Sequence, residues 1–347
     1  SNAIPTLIQL GWKPFFQQQL SLDEFTDLTI GRIIEQHRSN LVVLSEQGQH
    51  SLIKSPNSDR VCVGDWVLFD ESNRLIRTLE RQSIFQRKAP GTKVSTQLIA
   101  ANIDSLIIVC SLNQDFNLNR IERYLAIAKE AQVEPIVVLT KADQCKDVES
   151  KQQQVQALDQ LMMVHSLNAL VSSEVKALEY YCKQGKTIAF LGSSGVGKST
   201  LVNNLLGYQA LDTGAIREDD SKGRHTTTYR ALKILPQGGI LMDTPGMREL
   251  QLAECEQGVS ETFSEIIELA NQCRFSDCMH ISEPNCAVQK AIDTGELSLR
   301  RFTSYQKLMN EQAFNAATLS EKKAKDKAFG KMINRVQKEA TNLKKGT

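Results

Sequence analysis

Residues 192–200 read Gly-Ser-Ser-Gly-Val-Gly-Lys-Ser-Thr, the pattern G-x-x-x-x-G-K-[ST]. The chemistry of that spacing is phosphate binding: glycines let the backbone turn its N–H groups inward, and a helix beginning at the lysine adds a partial positive charge. The apolar run Thr187–Leu191 before it and Leu201–Leu206 after it supply the strand and helix the pattern requires. The candidate phosphate-binding residues are Gly192, Ser193, Ser194, Gly195, Val196, Gly197, Lys198, Ser199 and Thr200. Lys198 reaches the β- and γ-phosphates and acts as a catalytic charge, while the Ser199 hydroxyl is offered to Mg²⁺. A second phosphate-side group follows, where the apolar run Gly239–Met242 ends in Asp243-Thr-Pro-Gly246. Asp243 suits Mg²⁺ through water, and the Gly246 N–H can approach a γ-phosphate. Between them, Gly223-Arg-His-Thr-Thr-Thr228 offers three hydroxyls for Mg²⁺. Thr226 is carried as the candidate, with Thr227 and Thr228 open.

A different chemistry is written at Cys273-x4-Cys278-x-His280-x5-Cys286. Three thiolates and one imidazole close a tetrahedral Zn²⁺ shell with no open position, so one structural zinc is expected. It would fold a loop too poor in apolar residues to hold itself. The other cysteines, Cys62, Cys110, Cys145, Cys182 and Cys255, stand alone and read as small apolar residues.

The apolar run Pro135–Leu139 ends in Thr140-Lys141-Ala142-Asp143, which resembles the guanine-recognition motif N-K-x-D of GTPases with Thr in place of Asn. A carboxylate at Asp143 accepts two hydrogen bonds from the N1–H and 2-amino group of guanine, a pair that adenine lacks. The Lys141 stem can pack over the base, and Ser166-Leu-Asn-Ala169 after the next strand reads as a second base-contacting loop. Thr140 lacks the amide that would contact the base and brace the phosphate loop, so weaker guanine affinity with retained selectivity is expected. The motif order is unusual, because the base motif precedes the phosphate loop. That order is a circular permutation, and it keeps every strand-end loop on one sheet edge, where ligands sit in open α/β sheets.

The elements that must position these groups fall into three units. Residues 28–80 read as five short strands, a small barrel. Gln86–Val94, with Arg87, Lys88, Pro90, Gly91 and Lys93, reads as a linker. From Ser105 onward apolar runs alternate with helical patterns, which predicts a mainly parallel sheet covered on both faces. After residue 260, helices Glu261–Cys273 and Leu297–Leu319 bracket the cysteines. The expected boundaries are 1–84 for the N-terminal segment and barrel, 85–252 for the nucleotide domain and 253–347 for a zinc-binding helical domain.

The 347 residues carry 41 basic and 40 acidic side chains, net +1, which taken alone argues against a nucleic-acid partner. The distribution is uneven: residues 300–347 hold 12 basic and 4 acidic groups on an otherwise acidic chain, a run that by itself reads as a solvated helix face or tail. A composition 41% apolar and 23% charged excludes wholesale disorder. No apolar run reaches the ~18–20 residues of a membrane span, and none has the flanks of a secretory signal, so a cytoplasmic protein with no membrane partner is expected.

The barrel, the permuted order, the motifs G-S-S-G-V-G-K-S-T, G-R-H-T-T-T and D-T-P-G, and C-x4-C-x-H-x5-C together resemble the RsgA (YjeQ) family of small-ribosomal-subunit biogenesis GTPases. The stretch Gln97–Asp104 also looks like that family's domain junction. The resemblance implies an OB-fold barrel and a circularly permuted GTPase domain binding GTP and GDP with Mg²⁺. It implies hydrolysis stimulated by the 30S subunit late in its maturation, contacts to 16S rRNA, and an RNA-facing role for the basic segment 300–347; a monomer is expected. Ras-like enzymes place a water-orienting Gln after D-x-x-G, whereas this chain has Met247. Family members likewise lack it, and a switch-loop His has been assigned the water; the matching residue is His225. The competing readings are a non-enzymatic ribosome-binding factor holding nucleotide as a structural ligand, and an ATP-using P-loop enzyme, against which Asp143 argues.

Overall fold

The computed structural model describes residues 4–53, 60–88, 96–207, 231–248, 250 and 255–316. Two short helices, α1 (Pro14–Gln17) and α2 (Leu22–Asp27), open the chain, the second started by a capping box between Ser21 and Glu24. Five antiparallel strands follow: β1 (Thr29–Gln36), β2 (Asn40–Ser45), β3 (Gly48–Ile53), β4 (Trp66–Phe69) and β5 (Leu75–Thr78), in the order β3-β2-β1-β4-β5. One face buries Ile33, Leu41, Val43, Leu52, Val67 and Phe69. The other buries Trp66 and Leu68 under Leu10 and Phe16 of the N-terminal segment. The expected strand Val61–Phe69 is shorter because Asp65 interrupts it: its buried carboxylate accepts from the Cys62 N–H and from Arg81, which turns the chain.

Where a linker was expected, the chain instead forms an antiparallel pair, β6 (Ile84–Lys88) with β7 (Thr96–Ala101). Its charged residues drew the linker reading, yet Phe85, Ile99 and Ala100 are buried and hold the pair against the sheet domain. That domain contains β8 (Ser105–Ser111), α3 (Leu118–Glu130), β9 (Glu134–Thr140), α4 (Val148–Gln156), β10 (Met163–Ser166), α5 (Ser172–Val175), β11 (Thr187–Leu191), α6 (Lys198–Leu206), β12 (Leu232–Ile234), β13 (Ile240–Met242) and α7 (Pro245–Arg248). The strand order is β10-β9-β8-β11-β13-β12, parallel except for β12 at the edge. Alternate residues serve opposite faces: Leu106 and Ile108 pack with α3, while Ile107 and Val109 pack with α6. Both faces are therefore covered, as a parallel sheet requires.

Four helices complete the described chain: α8 (Glu256–Thr262), α9 (Ser264–Ala270), α10 (Ala287–Asp293) and α11 (Leu299–Ala316). The single helix expected over 261–273 is two, divided at Phe263, whose ring is buried and sits under the Arg301 guanidinium. α8 docks on α3, on the sheet face opposite α6. Gly258 makes this possible, since a Cβ there would sit 2.0 Å from the Ala126 carbonyl oxygen. Its N–H donates to Glu130 at 2.7 Å. Glu122, fully buried, receives Arg300 and Arg301 at 2.8 Å each. One apolar cluster then runs unbroken from Val63 of the barrel through Ile99 and Leu125 to Phe302. Among the described residues no helix is long and apolar enough to cross a membrane.

Candidate functional site

The sheet's parallel strands deliver their following loops to one edge. β11 ends at Leu191 and the loop Gly192–Gly197 returns the chain into α6, whose first residue is Lys198. Gly192 lies so close to β8 that a Cβ would stand 2.3 Å from the Val109 carbonyl oxygen, and Gly197 takes φ 96°, so both positions demand glycine. The Lys198 ammonium donates to the carbonyls of Gly192 and, at 2.6 Å, of Ser193, which folds the side chain over the loop. Ser199 and Thr200 occupy the first turn of α6, partly exposed. Asp243 follows β13, the strand paired beside β11, so it stands at the same edge as Ser199. Gly246 and Met247 lie in α7 against Ile99 of β7. Met247 is buried, so the residue after Gly246 is core.

β9 ends at Thr140, and Lys141 takes the left-handed conformation, φ 58°, turning the chain into the short 3₁₀ helix Ala142–Gln144 that presents Asp143 at the surface. The expectation that Thr140 leaves the phosphate loop unbraced is corrected by the geometry. Its fully buried hydroxyl reaches across the end of β8 and donates to the Val196 carbonyl at 2.5 Å. A hydroxyl at this position thus ties the base turn to the phosphate loop.

The loop expected to be the second base contact follows β10. Leu167 is paired in both directions with the first: its N–H donates to the Leu139 carbonyl at 2.9 Å, and its own carbonyl accepts from the Ala142 N–H at 3.4 Å. The Ser166 hydroxyl donates to Gln152 on α4 at 2.7 Å, so its proton is committed to the protein. Two residues that sequence reasoning missed therefore shape this loop, Gln152 and, on α6, Asn204. Neither carries a local signal, because a polar residue on a helix otherwise reads as solvent-facing. His225 and Thr226–Thr228 lie outside the described residues, as does the basic segment beyond residue 316.

Cys273, Cys278, His280 and Cys286 present ligand atoms all within 4.8 Å of one another. Cys273 Sγ stands 3.8 Å from Cys286 Sγ and 3.6 Å from His280 Nδ1. A tetrahedron with Zn–S about 2.3 Å and Zn–N about 2.0–2.1 Å has edges of roughly 3.8 and 3.5 Å, so the cluster fits that ion. Electrostatics agree. Burial opposes ionisation of Cys273, yet the Ala287 and Val288 N–H groups and the neighbouring thiols hold it below the usual thiol range. Cys278 is pushed up to about 11 by burial and by its two sulfur neighbours. Neighbouring sulfurs thus oppose one another's ionisation, which a bound cation would relieve.

The comparisons with known proteins agree with this arrangement. A family model described as RsgA GTPase matches residues 78–253. The small ribosomal subunit biogenesis GTPase RsgA 2 of Vibrio parahaemolyticus serotype O3:K6 is 56% identical over 330 residues, covering 95% of this chain and 92% of the relative. Among solved structures, YjeQ from Thermotoga maritima aligns with a TM-score of 0.59 at 26% identity, over 82% of this chain and 98% of that one. YloQ, described as a circularly permuted GTPase, aligns at 0.57 and 24% identity over 84% and 96%, and supports the fold alone. The permuted motif order and the family match coincide on the same residues, and the chain belongs to the RsgA family of GTP-hydrolysing enzymes.

Proposed function

We propose that this chain hydrolyses GTP to GDP and phosphate during maturation of the 30S ribosomal subunit, with hydrolysis stimulated by the subunit and nucleotide state controlling release. The observation that carries the reading is the joining of a T-K-x-D turn to a G-x-x-x-x-G-K-[ST] loop through the Thr140–Val196 hydrogen bond. It makes one receptor of base and phosphate groups. Asp143 selects guanine, helped by the backbone of residues 166–169 and the stem of Lys141. Backbone groups of residues 192–200 and Lys198 hold the phosphates, and Ser199, Asp243 and Thr226 hold Mg²⁺ with the nucleotide. Magnesium held by these residues with the nucleotide would supply neutralisation of the charge that develops on the transferred phosphoryl group. Zinc at Cys273, Cys278, His280 and Cys286 holds the loop between α9 and α10.

Three units, 1–84, 85–252 and 253–347, divide the work. The zinc-binding helical unit with its basic end meets 16S rRNA, and the protein acts as a cytoplasmic monomer. His225 orients the attacking water when the switch loop is ordered by the subunit. The test is GTP turnover with and without 30S subunits, for the parent chain and His225→Ala. The parent should be accelerated by the subunit, and the variant should bind GTP normally yet lose the acceleration. Unchanged stimulated turnover in the variant removes His225 from the mechanism, and absent stimulation in the parent removes the ribosomal reading.

A further inference from the structure

We infer that Asn204, a residue of the phosphate-loop helix, is a positioning residue for guanine discrimination: its side-chain amide fixes the second base loop to α6. The inference rests on the reading that Asp143 and residues 166–169 receive guanine. Asn204 Nδ2 donates to the Ala169 carbonyl at 2.7 Å, and Asn204 Oδ1 accepts from the Ser172 hydroxyl at 2.7 Å. Both ends of one amide are thereby used, and they grip the loop at its last base-side residue and at the start of α5.

The loop's other restraints stop short of this point. Asn168 accepts from the Leu170 N–H at 3.0 Å, and its own N–H donates to Glu174 at 2.6 Å. These bonds shape the loop internally without anchoring it. Leu167 and Ala169 are buried on Leu201 and Leu205 of α6, a nondirectional contact that permits sliding. The Asn204 amide is the directional restraint between this loop and α6 among the described residues. Its placement matters because α6 begins at Lys198: the two residues are six apart on one rigid helix, about 9 Å of rise. The helix that sets the phosphate loop therefore also sets the height and tilt of the loop against the base.

Guanine differs from hypoxanthine only in its 2-amino group. Discrimination depends on holding that amine against Asp143, and a loop free to shift surrenders geometry before it surrenders stability. Ser172 and Leu170 are exposed, so water entering the space that the Asn204 amide vacates can satisfy Ser172 Oγ and the Ala169 carbonyl once Asn204 is gone. Removal should then leave the fold intact while the specificity falls.

The experiment measures dissociation constants for GDP and for inosine diphosphate by titration calorimetry on the full chain, with thermal midpoints, for the parent, Asn204→Ala, Ser172→Ala and Asp143→Ala. Expected is an at least threefold fall in the GDP preference for Asn204→Ala, inosine diphosphate binding within twofold of the parent, and an unchanged midpoint. Ser172→Ala, which deletes half of the same grip from the loop side, should move the preference in the same direction by less, and it decides the matter if Asn204→Ala folds poorly. Equal weakening of both nucleotides, or an unmoved ratio in both variants, overturns the proposal. If Asp143→Ala also leaves the ratio unmoved, the base-site reading itself fails. If Asp143→Ala moves it while the other two do not, only the role of Asn204 is lost.

Discussion

Replacing Thr140 with Val isolates the brace between the base turn and the phosphate loop. The substitution keeps the volume and branching at a fully buried position and deletes the hydroxyl that donates to the Val196 carbonyl at 2.5 Å. Losing the partner of a buried acceptor costs about 1–3 kcal/mol. Part of that cost is relieved if the phosphate loop drifts, and nucleotide binding must then re-order it. At 1.4 kcal/mol per tenfold, the full cost corresponds to roughly 5- to 140-fold weaker GDP and GTP binding. Because the brace acts on the phosphate loop, GDP and inosine diphosphate should weaken together, unlike the pattern expected at Asn204. Thr140→Ser restores a donor and should bind within about threefold of the parent. Titration calorimetry with thermal denaturation as control reads both. A Thr140→Val protein with a lowered melting temperature and parental nucleotide affinity would refute the brace, showing that the hydroxyl serves the fold alone.

Three further outcomes are expected. Glu122→Ala removes a buried carboxylate partner from both Arg300 and Arg301 between α3 and α11 and should cost about 3 kcal/mol, the low end for a buried pair because Arg301 keeps Glu265 and the Thr262 carbonyl and Arg300 is partly solvated; chemical denaturation measures it. Burial resists the Glu122 charge, but hydrogen bonds from Arg300, Ser304 and Arg301 hold its carboxyl below the ordinary value of 4.5. Its contribution is therefore present above pH 4.5 and lost as pH falls through the lower folded-state value, so stability should decline in that acid range in the parent and less in Glu122→Gln. At the cysteine cluster, elemental analysis should find one zinc per chain, and Cys286→Ser should lose it and expose the 273–286 loop to protease. Finally, binding to 30S subunits should weaken as salt rises, and deleting residues 317–347 should flatten that slope; an unchanged slope places the phosphate contacts elsewhere.

Much of this site was legible because its chemistry is local. Gly192–Thr200 and Cys273–Cys286 are short segments in which covalent spacing nearly dictates geometry, so residue types alone pointed to a tight glycine loop before a helix and to a cluster of three thiols and an imidazole. The alternation of apolar runs likewise announced a sheet covered on both faces, because a strand buried on two sides has no room for polar residues. The β6–β7 pair escaped notice because Arg87 and Lys88 masked the inward Phe85, and β12 because a three-residue edge strand carries little pattern.

What the tertiary structure alone decided are the ties between these local pieces. Thr140 was read as a lost amide, and only the close passage of β9 beside β8 and the phosphate loop turns it into a brace across 56 residues of chain. Asn204 reaches Ala169 across 35 residues, and Glu122 meets Arg301 across 179. A side chain's partner at such separation depends on strand order and helix placement. Those follow from the summed burial of many residues, so no single motif records them.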